Sequence, residues 1–169
     1  MVKIYCVNTK TSKTFPEGTT LMDMLPEFEL DRTYPILCAK VNNVSQGLKY
    51  KAFNSRQVEF LDYRSYTGRS VYCNSLCFLM CKAAKDVFPD CRVVLRRPIS
   101  KGYFCTIVKG DGAHVSAEDL ELIKTRMREI VSADMLFRRH EVRTEEAIEL
   151  FESLGYDDKV KLLKTTGDV

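Results

Sequence analysis

Residues 71–108 read VYCNSLCFLMCKAAKDVFPDCRVVLRRPISKGYFCTIV, and this stretch decides the fold. Val71, Leu76, Leu79, Met80, Ala83, Ala84 and Val87 recur at spacings of three and four, which predicts the apolar face of a helix. Val87-Phe88-Pro89-Asp90 closes that helix, because proline cannot continue the hydrogen-bond ladder. Arg92-Val93-Val94-Leu95 then reads as a strand. After a turn, Gly102-Tyr103-Phe104-Cys105-Thr106-Ile107 reads as the next one.

Towards the C-terminus, Lys109-Gly110-Asp111-Gly112 predicts a turn. Ser116-Ala117-Glu118-Asp119 has the form of a capping box, opening a helix through Leu120, Ile123, Met127 and Ile130-Val131. Met135 to Val142 is expected to form another strand. Thr144 is expected to cap a last helix, Glu145 to Leu154, with Glu145 and Glu146 suiting its positive end and Gly155 stopping it. Asp157 to Leu163 adds a short helical turn.

Towards the N-terminus, Asp62 to Ser70 is a polar connector and the expected domain boundary. Before it, Lys3-Ile4-Tyr5-Cys6-Val7 is a short strand. Asn8 to Lys13 holds a hairpin turn, and Thr14-Phe15 starts the return strand that Pro16-Glu17-Gly18 breaks. Thr19 or Thr20 caps a short helix, Leu21 to Leu25, which Pro26 is expected to end. Ile36 to Val41 is a third strand, Asn42-Asn43 a turn, and Val58 to Leu61 a final strand. Strand, strand, helix, strand, strand is the order of a ubiquitin-like β-grasp.

At 169 residues the chain suits one ordinary domain or two small ones. An apolar content of 45% with 29% charged residues is that of a globular protein. No apolar run is long enough for a membrane span, and Met1 to Cys6 lacks the apolar core of a secretory signal. The seven cysteines are odd in number and include no Cys-x-x-Cys pair, so reduced thiols in a cytoplasmic protein are expected. The net charge of +3 conceals a gradient: residues 92–143 carry 11 basic and 7 acidic side chains, residues 144–169 carry 3 and 7. The middle of the chain is therefore its mildly electropositive part, a place where phosphate could be attracted.

These residues also carry a family resemblance. The helix closed by Phe88-Pro89 and the strand opened by Gly102-Tyr103-Phe104 resemble the second N-terminal domain of threonyl-tRNA synthetases. Phe15-Pro16-Glu17-Gly18-Thr19-Thr20-Leu21-Met22-Asp23 and Ala39-Lys40-Val41-Asn42-Asn43 resemble the TGS module that precedes it, with Asn43 where the family has glycine. Asparagine tolerates the positive φ such a turn needs. Ser116-Ala117-Glu118-Asp119, the basic-Met step Lys124-x-Arg126-Met127, and Phe151-x-x-x-Gly155 with Lys159-Val160 continue the resemblance in the family's own order. The implied fold class is α+β. A TGS-like β-grasp domain over residues 1–62 is followed over 63–169 by a module like the domain common to threonyl- and alanyl-tRNA synthetases.

In that family the helix carries a His-x-x-x-His pair that, with a later Cys and His, activates water against the ester of a mischarged tRNA. The matching positions here are Asn74 and Phe78, and the region of the later Cys-x-x-x-His is not in the sequence. Asn74 can hydrogen-bond but is no base near neutral pH. The resemblance therefore implies the frame of an editing domain without its catalytic residues. Phe78 is expected to fill much of the cleft with apolar bulk. Asn74, Lys101 and Tyr103 are expected at its rim, where a small anion or nucleotide fragment could sit.

Other residues offer weaker chemistry. Arg96, Arg97 and Lys101 bracket Pro98-Ile99-Ser100 beside Tyr103 and Phe104, a set that could hold phosphate and stack a base. Arg138, Arg139, His140 and Arg143 form a second basic run, with Arg139 on the opposite face of the expected strand from Arg138 and His140. Solvated surface is the favoured reading of each. Cys73, Cys77 and Cys81 recur each turn of the helix and could attract a soft metal. They climb about 6 Å per step, so one zinc could not easily reach all three. Core packing is the favoured reading. No phosphate-cradling Gly-x-x-x-x-Gly-Lys-Ser/Thr loop occurs.

The same pair of modules precedes the kinase of some bacterial uridine kinase-like proteins. The lost histidines make that N-terminal region the favoured expectation: a non-catalytic module binding RNA or nucleotide, with the catalytic part downstream. No cofactor is expected in the chain itself, and ATP and magnesium only if such a kinase domain follows. The alternatives are an editing-type region of a synthetase-related protein, a divergent hydrolase using Cys73 or Cys77, and a structural module that spaces or dimerises a larger enzyme. Contact with membrane is not expected.

Overall fold

The computed structural model describes residues 1–31, 33–99 and 102–166, without the side chains of residues 97–99 and 166. The chain forms two compact units, Met1–Ala133 and Asp134–Val169.

In the first unit, β1 (Val2–Cys6) buries Val2, Ile4 and Cys6 and exposes Lys3 and Tyr5, the two-residue period of a half-buried strand. β2 (Thr11–Phe15) returns antiparallel to it, Val2 opposite Phe15 and Cys6 opposite Thr11. The return strand thus starts at Thr11 rather than Thr14, because Lys10 takes the positive φ that closes the turn early. β3 (Thr19–Thr20) leads into α1 (Leu21–Met24), where Thr20 accepts from the Asp23 backbone N–H at 3.2 Å. The α-helix ends as expected just before Pro26, with Leu25 as its C-cap. Pro26 itself lies in the first positions of a 3-10 turn, Leu25–Glu27, where a missing N–H has no consequence.

β4 (Ile36–Val41) and β5 (Val44–Gln46) are joined by Asn42 and Asn43, both with positive φ, the backbone of a hairpin turn matched to strand twist. β6 (Lys51–Ala52) pairs with β3, and β7 (Arg56–Asp62) runs parallel to β1 and antiparallel to β4. The sheet order β2-β1-β7-β4-β5, with the last long strand inserted beside the first, is a β-grasp. Its core is closed by Phe15, Phe28 and Phe60, whose neighbouring rings lie 6.0 Å apart.

α2 (Tyr66–Val87) begins well before the end of the expected connector. The Ser65 hydroxyl donates to the Asp62 carbonyl at 2.8 Å and accepts from the Gly68 N–H at 2.9 Å, so the N-cap lies three residues after the end of the strand. Gly68 makes this tight corner possible: a Cβ there would stand 2.0 Å from the Asp62 oxygen. β8 (Arg92–Ile99) and β9 (Gly102–Val108) pair antiparallel, and β8 extends beyond the expected Leu95. The register shifts between Leu95 and Pro98, as at a bulge, where proline's missing donor is tolerated. α3 (Ala117–Ser132) opens on a complete capping box of Ser116 and Asp119, and packs against α2. A second core forms from Ala83, Ala84, Cys91, Ile107, Ile123 and Ile130.

In the second unit, residues 135–143 form no strand among the described residues, contrary to expectation. Met135, Leu136, Phe137 and Val142 are exposed there, and no neighbouring strand supplies the pairing that a β conformation needs. α4 (Thr144–Ser153) takes Arg143, not Thr144, as its N-cap residue, without a side-chain cap bond. Its C-terminus is a Schellman motif. Gly155, with positive φ, donates to the Glu152 carbonyl at 3.1 Å, and Tyr156 donates to that of Phe151 at 2.9 Å. The rings of those last two stack edge-on. α5 (Asp157–Thr166) is a full helix rather than a short turn.

Candidate functional site

A pocket of about 250 Å³ opens in the first unit between α2 and the β8–β9 hairpin. Asn74, Cys77, Phe78 and Cys81 reach it from α2, Leu95 and Arg96 from β8, and Tyr103 from β9. The helical residues come from two adjacent turns, because side chains three and four apart share a face. On the strand, neighbours ordinarily point to opposite faces. Leu95 and Arg96 both border the pocket because the bulge begins there and breaks the alternation.

The structure thus brings together Asn74, Phe78, Arg96 and Tyr103 from the sequence-derived candidates. The side chain of Arg97 and all of Lys101 lie outside the described residues. Phe78 does not plug the cleft: it is 64% exposed and forms one wall, and the space beside it stays open. The favoured reading of the thiol stripe as core also fails. Cys73, Cys77 and Cys81 are half-buried, and the last two line the pocket. Helix α2 buries only Gly68, Ala83 and Ala84, so its cysteine face looks towards the hairpin instead of a closed interior.

Three wall residues, Leu95, Cys77 and Cys81, escaped sequence reasoning as pocket residues. Leu95 was legible only as a strand residue, since nothing local announces a bulge two residues before Pro98. Cys77 and Cys81 were weighed for metal but not for the pocket, although their one-turn offset was a usable signal. The second basic run lies in the irregular segment of the other unit, so the face alternation expected for Arg138, Arg139 and His140 does not apply. There Arg139 pairs with Glu141 at 2.6 Å and Arg143 with Glu146 at 2.8 Å.

The electrostatics of the pocket suit binding rather than proton transfer. Among the described residues its lining contains no imidazole, carboxylate or amine. Burial pushes the Cys77 thiol up, and the neighbouring Cys73 adds to the shift. Burial also raises Cys105, on β9, and Cys77 contributes there. A nucleophilic cysteine needs the opposite, a thiolate favoured by nearby positive charge. What the arrangement offers is an apolar recess with an aromatic face on two sides, one amide and one guanidinium at its edge. Among the described residues no helix is long and apolar enough to cross a membrane.

No protein-family model matches the chain. It is 28% identical over 163 residues to the threonine–tRNA ligase of Ehrlichia canis, covering 96% of this chain and 25% of that protein. The corresponding ligase of Geobacter sp. (strain M21) is 27% identical over 158 residues, 93% of this chain and 24% of the relative. That of Azobacteroides pseudotrichonymphae is 24% identical over 168 residues, 99% and 26%. The chain is similar to a quarter of threonine–tRNA ligase. It spans about that share of the curated relatives it matches, so their similarity concerns this region alone. The α+β fold and the likeness to a ligase N-terminal region agree with one another.

Proposed function

We propose that this chain is a non-catalytic binding region related to the N-terminal part of threonine–tRNA ligases, and that its pocket holds a nucleotide or the end of an RNA strand. The observation that carries the reading is the pocket wall. Where the family resemblance sets a histidine pair, Asn74 and Phe78 face an apolar recess with Arg96 and Tyr103 across it. Aromatic faces stack bases of any sequence, and a guanidinium offers a bidentate partner to phosphate. The name of the relatives, threonine–tRNA ligase, makes tRNA the first RNA to test. It also favours a synthetase-related parent over a uridine kinase-like one, for which no observation of this kind speaks. Deacylation by this chain is not part of the proposal, because the described residues of the pocket lining supply no general base.

Filter binding to tRNA, with parallel ATP and uridine titrations at low and moderate salt, tests the reading. Binding that weakens with salt, and weakens roughly tenfold on Tyr103→Ala or Arg96→Ala, is the expected outcome. No binding to any of the three at low salt overturns it.

A further inference from the structure

Cys77 and Cys81 stand one helical turn apart and both line the pocket. Side chains at this spacing have Cβ atoms about 5–6 Å apart. A disulfide requires about 3.5–4.5 Å, so the two are set too far apart to join each other directly. Neighbours on one helix face, they border the same recess. Neither is in a disulfide, and both are half-buried on the wall of an open recess.

The surroundings select what the two thiols could hold. The other wall residues, Asn74, Phe78, Leu95, Arg96 and Tyr103, include no carboxylate or imidazole. Among the described residues, no three or more His, Cys, Asp or Glu side chains converge on a point that could hold a metal. Tetrahedral zinc wants four nitrogen or sulfur ligands, and calcium or magnesium wants a shell of oxygens. None of those sets is present. Two soft sulfurs in an apolar wall satisfy an ion content with linear, two-coordinate geometry, and thiolate ligands favour copper(I). Two thiolates on a monovalent ion leave one net negative charge. Arg96, the cation among the described wall residues, stands in the same pocket to offset it.

We propose that Cys77 and Cys81 form a two-thiolate site for a soft monovalent cation of the copper(I) class in the wall of this pocket. The site goes beyond the nucleotide or RNA reading and does not depend on it. Binding releases the two thiol protons to solvent and forms two metal–sulfur bonds, with no change in oxidation state.

The test uses the whole reduced chain under anaerobic conditions, titrated with copper(I) against a chromophoric copper(I) chelator. One equivalent is expected to bind, with a thiolate-to-metal absorption band in the ultraviolet. Cys77→Ser and Cys81→Ser should each weaken binding at least ~100-fold, beyond the effect of losing an outer-shell partner. Cys38→Ser, buried in β4 and not a lining residue of the pocket, should leave it unchanged. X-ray absorption of the copper-loaded unmodified chain gives a readout that needs no variant: two sulfur neighbours are expected. The proposal is overturned if the Cys77→Ser, Cys81→Ser double variant binds as tightly as the parent. It is equally overturned if the chelator retains all the copper, or if three or more sulfurs surround the metal.

Discussion

Asn74 and Phe78 both border one pocket, and the family resemblance matches them to the two histidines of an editing helix. An amide and a phenyl ring can shape and anchor a ligand, but neither can take a proton from water. Restoring the histidines supplies the missing base without the later Cys and His. The Asn74→His, Phe78→His double variant is therefore expected to show no deacylation of Ser-tRNA above the unmodified chain. Release of labelled serine measures this, and clear turnover contradicts it. A second residue-scale case is Gly68, where any side chain meets the Asp62 carbonyl. Gly68→Ala should destabilise the first unit by at least ~2 kcal/mol in denaturant titration, since neither backbone can move aside. A change under ~0.5 kcal/mol would show that the corner is looser than drawn.

At the scale of elements, the joint between β7 and α2 rests on charge as well as on the Ser65 cap. Arg64 donates to Asp62 through Nε at 2.9 Å and to Asp31 through Nη1 at 2.9 Å. Hydrogen bonds from Thr33, and then from Arg64, hold Asp31 down to about 2. The Arg64 side chain first, and its backbone N–H as well, lower Asp62. Both are carboxylates favoured as anions in the folded state. Their contribution is thus fully present above the ordinary carboxylate range and is lost as pH falls from about 4 towards 2. Stability should drop across that window, and Arg64→Gln should flatten the drop; chemical denaturation at stepped pH measures both. Exposure of Arg64 and Asp31 to solvent keeps the effect small. Helix α3 gives a cleaner test. Asp119 completes the capping box and meets Lys109 at 2.9 Å, so Asp119→Ala should cost about 1–2 kcal/mol, against less than ~0.5 for the exposed Glu121→Ala.

At the scale of the molecule, the division at Ala133 leaves exposed, irregular chain over residues 135–143, rich in arginine. Such segments are where proteases act first, because their backbone is not held in a ladder. Brief trypsin treatment should cut after Arg138, Arg139 or Arg143 and leave a resistant fragment from Met1. Mass spectrometry of the early products checks the position, and first cuts inside α2 or β7 would contradict it. The resistant fragment contains both described cores and the whole pocket, so it should keep the ligand binding proposed above.

Much of this could be read from residues alone, because the controlling interactions are local. Ser116 and Asp119 are three apart and cap their own helix; Gly155 ends its helix by taking positive φ; Asn42 and Asn43 turn a hairpin from their own backbone preferences. The alternation in β1 and the Phe-Pro stop of α2 are of the same kind. The matching of Asn74 and Phe78 to a catalytic pair was likewise a matter of counting along one helix. The failures share a different cause. Met135 to Val142 has strand-forming residues but no partner strand, and pairing is a property of two segments. Cys77 and Cys81 have the composition of core, yet a helix face is buried only if something covers it, and here the hairpin leaves a recess. The bulge that turns both Leu95 and Arg96 into that recess depends on how β8 registers against β9. Local chemistry determined the elements and their ends; the openness of the pocket and the side chains that share it were decided only when distant segments packed.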